Sequence, residues 1–253
     1  MKITVITAVY NSEATVGEAI ASVAAQTYPN VEHLVVNGSS DDGTLGAIKR
    51  AGHDRMRLIS EPDDGIYDAL NKGVRNATGD VVGFIHSDDF FAHNGVLARI
   101  ATAFADPEVE AVFSDLVYVS QADTSRVIRH WSTGAFHPRR LKYGWMPAHP
   151  TLYLRREVYE RFGIYDKNFA ISADYDFILR YFSQATSKSV YIPEVVYKMR
   201  VGGVSNRNWS KIRQKMEEDM LAIRRNRVGG LHTLAFKNLS KLGQFLVRPK
   251  RSS

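Results

Sequence analysis

The sequence predicts an α/β protein built on a Rossmann-like, mostly parallel central sheet flanked by helices, with a helical extension at the C-terminal end. Three observations carry this reading. Strand and helix patterns alternate with short connections through the first ninety residues. Each strand pattern stops at a polar cluster. The excess of basic over acidic charge is confined to residues 206–253, whose two helical patterns follow a Gly-rich break.

In chain order, 2–9 is a β-rich run ended by Tyr10-Asn11-Ser12, and helical spacing follows through Val16, Ile20 and Val23, with Ser12 as N-cap. A strand over 31–36 stops at Asn37-Gly38-Ser39-Ser40-Asp41-Asp42-Gly43, and a helix runs to about Ala51. A short strand over 57–60 precedes Pro62-Asp63-Asp64-Gly65 and a helix carrying Ile66, Leu70 and Val74. Residues 81–85 form a buried strand running into His86-Ser87-Asp88-Asp89. Past 110 the pattern loosens. Short strands are expected at 111–114, 117–119, 126–131, 151–154, 190–192 and 195–199, and helices at 156–162 and 175–182. A loop spans 134–150, and two helices, 207–227 and 231–246, close the chain.

The chain has 253 residues, 44% hydrophobic and 24% charged, enough for a sizeable core. With no cysteine, disulfides, thiolate metal sites and a cysteine nucleophile are excluded. The first residues do not read as a signal peptide, and no apolar run reaches the roughly 18–20 residues a membrane span needs. The net charge of +6 is unevenly placed. Residues 1–205 hold 21 Lys and Arg against 24 Asp and Glu; residues 206–253 hold 12 against 3. The body is mildly acidic, and any anionic partner belongs to the tail.

In an open α/β sheet, ligands bind beyond the carboxyl ends of the strands. Thr7–Asn11, Asn37–Asp42 and His86–Asp89 fall there. None is a GxGxxG or GxxxxGK[ST] loop, which argues against a dinucleotide site or a P-loop. Asp88 and Asp89 offer hard oxygens suited to Mg²⁺ or Mn²⁺, which could bridge to a diphosphate. A solvated Asp-Asp turn is the structural alternative.

Val5-Ile6-Thr7-Ala8-Val9-Tyr10-Asn11, Ser22–Pro29, Glu32–Thr44, Glu61–Gly73 and Ala77-Thr78-Gly79-Asp80 together resemble glycosyltransferase family 2. Within it they look closest to bacterial enzymes of O-antigen, colanic-acid-like and other exopolysaccharide assembly. The resemblance covers about residues 3–205. It implies a GT-A fold, with a nucleotide-sugar half over about 1–110 and an acceptor half over about 111–205. It further implies a nucleoside-diphosphate sugar donor, Mn²⁺ or Mg²⁺, and inversion at the anomeric carbon.

Carried over by position, Thr7, Ala8 and Tyr10 would line the base pocket, with Glu61 and Asp68 near the nucleoside. Asn37 stands where the family usually has Asp, leaving the base unassigned. The family's Asp-x-Asp-Asp reads His86-Ser87-Asp88-Asp89 here. Asp88 keeps the metal position with Asp89 beside it, while His86 could ligate the metal, bond the ribose or be structural. Ile171-Ser172-Ala173-Asp174-Tyr175-Asp176 resembles the acidic base motif at the start of an acceptor-side helix. Asp174 is the expected base, and Asp176 the alternative or a partner to a neighbouring Arg. His149 could contact diphosphate or acceptor. The Gly202–Asn206 segment, flanked by Arg200 and Arg207, resembles a mobile donor loop.

In the tail, Lys and Arg surround Glu217–Asp219, and Leu231, Leu234, Leu239, Leu242 and Leu246 alternate with Lys237 and Lys241. Such a segment suits the anionic inner face of the plasma membrane, as a peripheral protein whose acceptor is a lipid-linked saccharide. A helix pair packed on its own body fits the same pattern. Rival readings are a polyprenyl-phosphate glycosyltransferase and a non-catalytic membrane- or nucleic-acid-binding module. No nucleic acid partner is expected, because a binding module leaves the carboxylate clusters unexplained.

Overall fold

The computed structural model describes residues 1–201 and 209–243, the last three by backbone alone. Thus Arg207, the Gly202–Asn206 segment and the tail beyond Gly243 lie outside the described residues, as do the side chains of Lys241 and Leu242.

The first half runs β1 (Ile3–Val9), α1 (Val16–Ala24), β2 (Val31–Asn37), α2 (Thr44–Ala51), β3 (Met56–Ser60), α3 (Ile66–Asn76) and β4 (Val81–Phe84). Then come β5 (Phe90–Phe91), α4 (Val96–Ala103), β6 (Val109–Ser120), β7 (Val127–Trp131), α5 (Pro138–Leu141), β8 (Tyr153–Arg155), α6 (Arg156–Phe162), α7 (Ala173–Phe182) and β9 (Lys188–Val201). Helices α8 (Trp209–Arg225) and α9 (Leu231–Gly243) complete the described chain.

The sheet order is β3-β2-β1-β4-β8-β6-β9-β5, with β7 paired to β6. Pairing is parallel from β3 to β4, as helical crossovers require. Beyond β4 the sheet is mixed: β8 is antiparallel to both β4 and β6, whereas β6 and β9 are parallel. All residues of β1 and β2 are buried, including the polar Thr4, Thr7, Glu32, His33 and Asn37.

Sequence pattern and structure differ in several places, among them the short strand β5 and helix α5, which falls inside the loop expected over 134–150. The two short strands expected after 110 are one strand, β6, and those after 188 are one strand, β9. Register shifts around Ser114–Leu116 interrupt the pattern of β6, and Pro193 and Glu194 fall between paired positions of β9. Helix α4 was not marked by the sequence pattern. Ser12 does not cap α1: its hydroxyl bonds the Tyr10 carbonyl and Ser87 Oγ, and the helix begins at Val16.

Helices α8 and α9 share the core of the body. Ala222, Ile223, Val228 and Leu234 belong to the cluster containing Phe84, Phe113 and Phe177. Lys237, expected on the polar face of the last helix, is only 3% exposed. Its Nζ lies 2.8 Å from Asp219 and 3.2 Å from the Tyr175 ring centre. Gly144, at φ +74°, lets the 138–145 loop approach α9, since a Cβ there would sit 2.6 Å from the Lys237 backbone.

Candidate active site

Strands β2, β1 and β4 are neighbours in register, with Val9 opposite Asn37 and Ile6 opposite Phe84. Their carboxyl ends therefore bring the three polar clusters to one edge. Two cavities open there. One, of about 610 Å³, is lined by Ala8, Tyr10, Gly38, Pro62, Ile66 and Ser87 among others. The second, of about 750 Å³, is lined by Tyr10, Ser12, Asp42, Ser87, Asp88 and Arg200 among others. Tyr10 and Ser87 border both, so the two form one groove. At its rim Asn11 and Ser39 adopt left-handed backbone, φ 45° and 57°. The Asn11 side chain accepts the Asp41 amide, which steadies this turn.

In the first cavity Tyr10 is 59% exposed, with a ring face available for stacking. Thr7 does not face the cavity. It is fully buried, and its hydroxyl lies 2.9 Å from His33 Nε2. Asn37 is also spent internally: its amide donates to Ser60 Oγ at 2.9 Å and its oxygen accepts from Ser40 Oγ at 2.6 Å. Both residues shape the pocket floor from behind. Glu61 pairs with Lys72 at 3.1 Å. Asp68 lies 3.0 Å from Lys167 and 3.6 Å from Lys72, and the Lys167 bond holds its carboxyl below the usual range. Asp68 thus fastens α3 to the loop before α7 instead of lining the cavity.

The two adjacent aspartates have opposite surroundings. Asp88 borders the second cavity, and among the described residues its carboxylate takes no hydrogen bond or ion pair. Asp89, expected beside it as a metal ligand, is 1% exposed. It accepts the Arg200 amide at 2.9 Å and the Tyr197 hydroxyl at 3.1 Å. Burial pushes its carboxyl well above the usual range, and Asp88 adds to that push. Asp89 is a buried brace for β9. Arg200 is braced too: its guanidinium bonds the Asp88 carbonyl and Glu18, and lies over the Phe90 ring. It reaches the cavity wall with its charge already balanced by Glu18.

Residues from the second half of the chain pack behind this edge. His149 is buried, stacked on Phe84 at 5.2 Å, with Nε2 2.8 Å from the Tyr165 hydroxyl. Burial lowers its pKa to about 4, so the ring is neutral at pH 7. His86 lies 6.2 Å from it, centre to centre. Burial lowers the His86 pKa, while Asp88 and Asp174 both oppose that shift through space. The His86 ring therefore stands within electrostatic reach of both carboxylates.

Asp174 occupies the first turn of α7, where the helix dipole favours negative charge. The Tyr67 hydroxyl lies 3.2 Å from its Oδ1 and 2.5 Å from the Ile171 carbonyl. The loop before it is clamped from α8. Glu218 accepts the amides of Ala170, Ile171 and Ser172, and Asp219 accepts the Ser172 hydroxyl at 2.8 Å. Asp176 points elsewhere: it is fully buried, 3.5 Å from Arg180, and bonded by Asn226 at 2.9 Å.

Sequence reasoning missed Tyr67, Tyr165, Glu18, Glu218 and Asp219. Tyr67 lies inside a motif that was recognised, but nothing in its spacing marks contact with α7. Glu218 and Asp219 read as an acidic patch in a basic tail, and only tertiary packing carries them to the Asp174 loop.

Among the described residues no three His, Asp or Glu side chains cluster as a complete cation site. Asp88, whose unengaged hard carboxylate borders the groove, is the residue that would hold a divalent ion there.

Comparison with known proteins agrees with this architecture. The model of the glycosyl transferase family 2 domain matches residues 4–172. A PGL/p-HBAD biosynthesis glycosyltransferase of Mycobacterium tuberculosis is 32% identical over 200 residues, covering 78% of this chain and 76% of that protein. An uncharacterized glycosyltransferase of the same species is 30% identical over 180 residues, covering 70% and 68%. These relatives are mycobacterial, and none of them is named for O-antigen or colanic-acid synthesis. Among solved structures, S. aureus TarS 1–349 with UDP-GlcNAc superposes with a TM-score of 0.70 at 20% identity, covering 97% of this chain and 72% of that one. The Pyrobaculum calidifontis mannosyltransferase PcManGT with GDP-Man and Mn²⁺ gives 0.68 at 22%, again covering 97% and 72%. With its parallel half-sheet, strand-end groove and these matches, the chain belongs to glycosyl transferase family 2 and has the GT-A fold.

Proposed function

We propose that this glycosyltransferase transfers one sugar, with inversion, from a nucleoside-diphosphate sugar to a lipid-linked saccharide during bacterial surface-polysaccharide assembly. Residues 1–205 serve as the catalytic domain, and the enzyme works as a peripheral protein on the cytoplasmic membrane face. No helix among the described residues is long and apolar enough to cross a membrane. The observation that carries the reaction is Asp88, an unengaged carboxylate bordering the same groove as Tyr10; Asp174 supplies a second carboxylate within electrostatic reach of the half-buried His86 ring. The two neighbours of the same fold that hold a nucleotide sugar support the donor class, and the Mn²⁺ of one supports the cation.

Tyr10 stacks on the base, and Asp88 would hold Mn²⁺ or Mg²⁺ on the diphosphate side. The bound cation offsets charge developing on the leaving group. Asp174 Oδ accepts the proton of the acceptor hydroxyl as that oxygen attacks the anomeric carbon and the carbon–diphosphate bond breaks. Neutral His149 and Tyr165 hold the acceptor-side wall without adding charge. Arg200, and Arg207 beyond the described residues, supply positive charge on the diphosphate side once Arg200 exchanges Glu18 for phosphate oxygens.

A thermal-shift panel of UDP, GDP, dTDP and CMP sugars, each with and without Mn²⁺, tests the reading. One nucleoside should raise Tm, and more so with the cation. A flat response across the panel would overturn it.

A further inference from the structure

Helix α8 has one face in the core, carrying Asp219, Ala222 and Ile223, and another in solvent. On the solvent face Trp209, Ile212, Met216 and Leu221 are 84%, 44%, 45% and 55% exposed. Helix α9 adds Leu231 and Leu239, at 74% and 58%. Between the helices runs an apolar groove of about 580 Å³, floored by Met220 and Leu234. Single exposed apolar side chains are ordinary, but a strip along two neighbouring helices marks an interaction surface.

The charge around this strip has one dominant sign. Lys211, Arg213 and Arg224 flank it, and Glu217, the exposed acid of α8, is engaged by Arg213 at 2.8 Å. The other two acids of α8 are turned inward onto the Asp174 loop. At the far side of α9, Phe236 packs on exposed Tyr143 at 5.4 Å, beside exposed Arg139 and Lys142. The sequence after Gly243 adds Arg248, Lys250 and Arg251 with no acid.

An apolar strip within a cationic rim complements an anionic bilayer. Apolar side chains enter the acyl boundary while Lys and Arg meet headgroup phosphates. A second copy of the chain is a poorer occupant, because a two-fold contact would set each cationic rim against its own image. We infer that the α8–α9 face is the membrane-docking surface of this enzyme, with the apolar strip inserted and Arg139, Lys142, Lys211 and Arg224 on the phosphates. The inference deepens the membrane placement proposed above and rests on it for its biological purpose. Because α8 also clamps the loop of Asp174, docking would set the depth of the groove relative to the lipid surface.

The test is flotation of the full chain with neutral phosphatidylcholine vesicles and with vesicles containing phosphatidylglycerol. The protein should float with the anionic vesicles only. The triple variant W209S/L221S/L231S should lose about tenfold or more of that partitioning. Its Tm and its donor-induced thermal shift should stay unchanged, since all three side chains are exposed. A full chain that shows a donor shift but does not float overturns docking while sparing the transferase reading. Flotation without any donor shift does the reverse. A triple variant that floats like its parent, or one that merely abolishes a concentration-dependent dimer seen in sedimentation, also overturns the docking surface.

Discussion

The carboxylate of Glu218 on α8 lies 2.9 Å from the amide nitrogen of Ser172, two residues ahead of Asp174. The same carboxylate accepts the amides of Ile171 at 2.8 Å and Ala170 at 3.2 Å. Three successive amides aimed at one anion form a nest, here filled by the protein's own side chain. Glu218→Ala should therefore lower kcat by about 10- to 100-fold, because loosening the loop misplaces the base. Donor affinity should hold, since no donor-cavity residue touches Glu218. Steady-state kinetics with separate donor-binding titration decides this: equal losses in kcat and donor binding would mean a general structural role.

Replacing the base itself gives a cleaner break. Asp174→Asn keeps the size of the side chain and its place beside Tyr67, but cannot take up the acceptor proton. Turnover should fall by about 10²- to 10⁴-fold with donor binding largely intact. Near-parental turnover in that variant would remove Asp174 from the reaction.

Asp88 and Asp89 should separate in the same way as their surroundings. Asp88→Ala should abolish the cation-dependent part of donor binding while leaving Tm nearly unchanged, because that carboxylate braces nothing. Asp89→Ala should lower stability by about 1–3 kcal/mol, leaving the Arg200 amide and Tyr197 hydroxyl without their acceptor. Thermal melts and donor titrations with and without Mn²⁺ read both outcomes.

His33 makes part of the acid sensitivity predictable. It is fully buried, between the Thr7 hydroxyl at 2.9 Å and His53 Nε2 at 3.2 Å. Burial, with His53 and Arg55 adding repulsion, lowers its pKa from 6.5 to about 3. Between those values the unfolded chain binds a proton that the folded chain refuses, so stability falls as pH drops from 6.5 toward 3. His33→Gln should make Tm less steeply dependent on pH between 6.5 and 4.5, a comparison that differential scanning calorimetry makes directly. Identical slopes would show that His33 contributes nothing to it.

The position of the groove was legible because the strand patterns stop at polar clusters. The edge where Tyr10 and Asp88 stand follows from where β1 and β4 must stop, whereas Asp174 was singled out through the resemblance of its segment to the family's acidic motif. Orientation was not legible. Residue type and spacing alone do not show that Asp89, expected beside Asp88 as a second ligand, is buried under β9 while Asp88 is unengaged. The Asn37 amide reads as a ligand contact until Ser40 and Ser60, three residues and one strand away, take up its oxygen and nitrogen. Lys237 reads as outer-face charge because the partner that buries it, Asp219, sits on another helix.

That last pair carries the final prediction. Asp219 is 1% exposed and Lys237 3%. Burial pushes the Asp219 carboxyl up, but Lys237, Lys215 and the bond from Ser172 outweigh it and hold the group below its usual range. Lys237→Met removes the nearest positive charge and leaves the buried carboxylate to Lys215, farther off at 3.4 Å, so its cost should approach the about 3–5 kcal/mol of a broken buried pair. Adding Asp219→Asn should recover much of that, because the under-compensated charge is gone and Ser172 still has an acceptor. Chemical denaturation of the parent, both single variants and the double variant gives the coupling energy of the pair. Because Ser172 leads into α7, the Lys237→Met single variant should also lose activity, and the double variant should regain it along with stability. Recovery of stability without activity would show that Lys237 acts on the Asp174 loop through its placement over the Tyr175 ring, independently of its charge on Asp219.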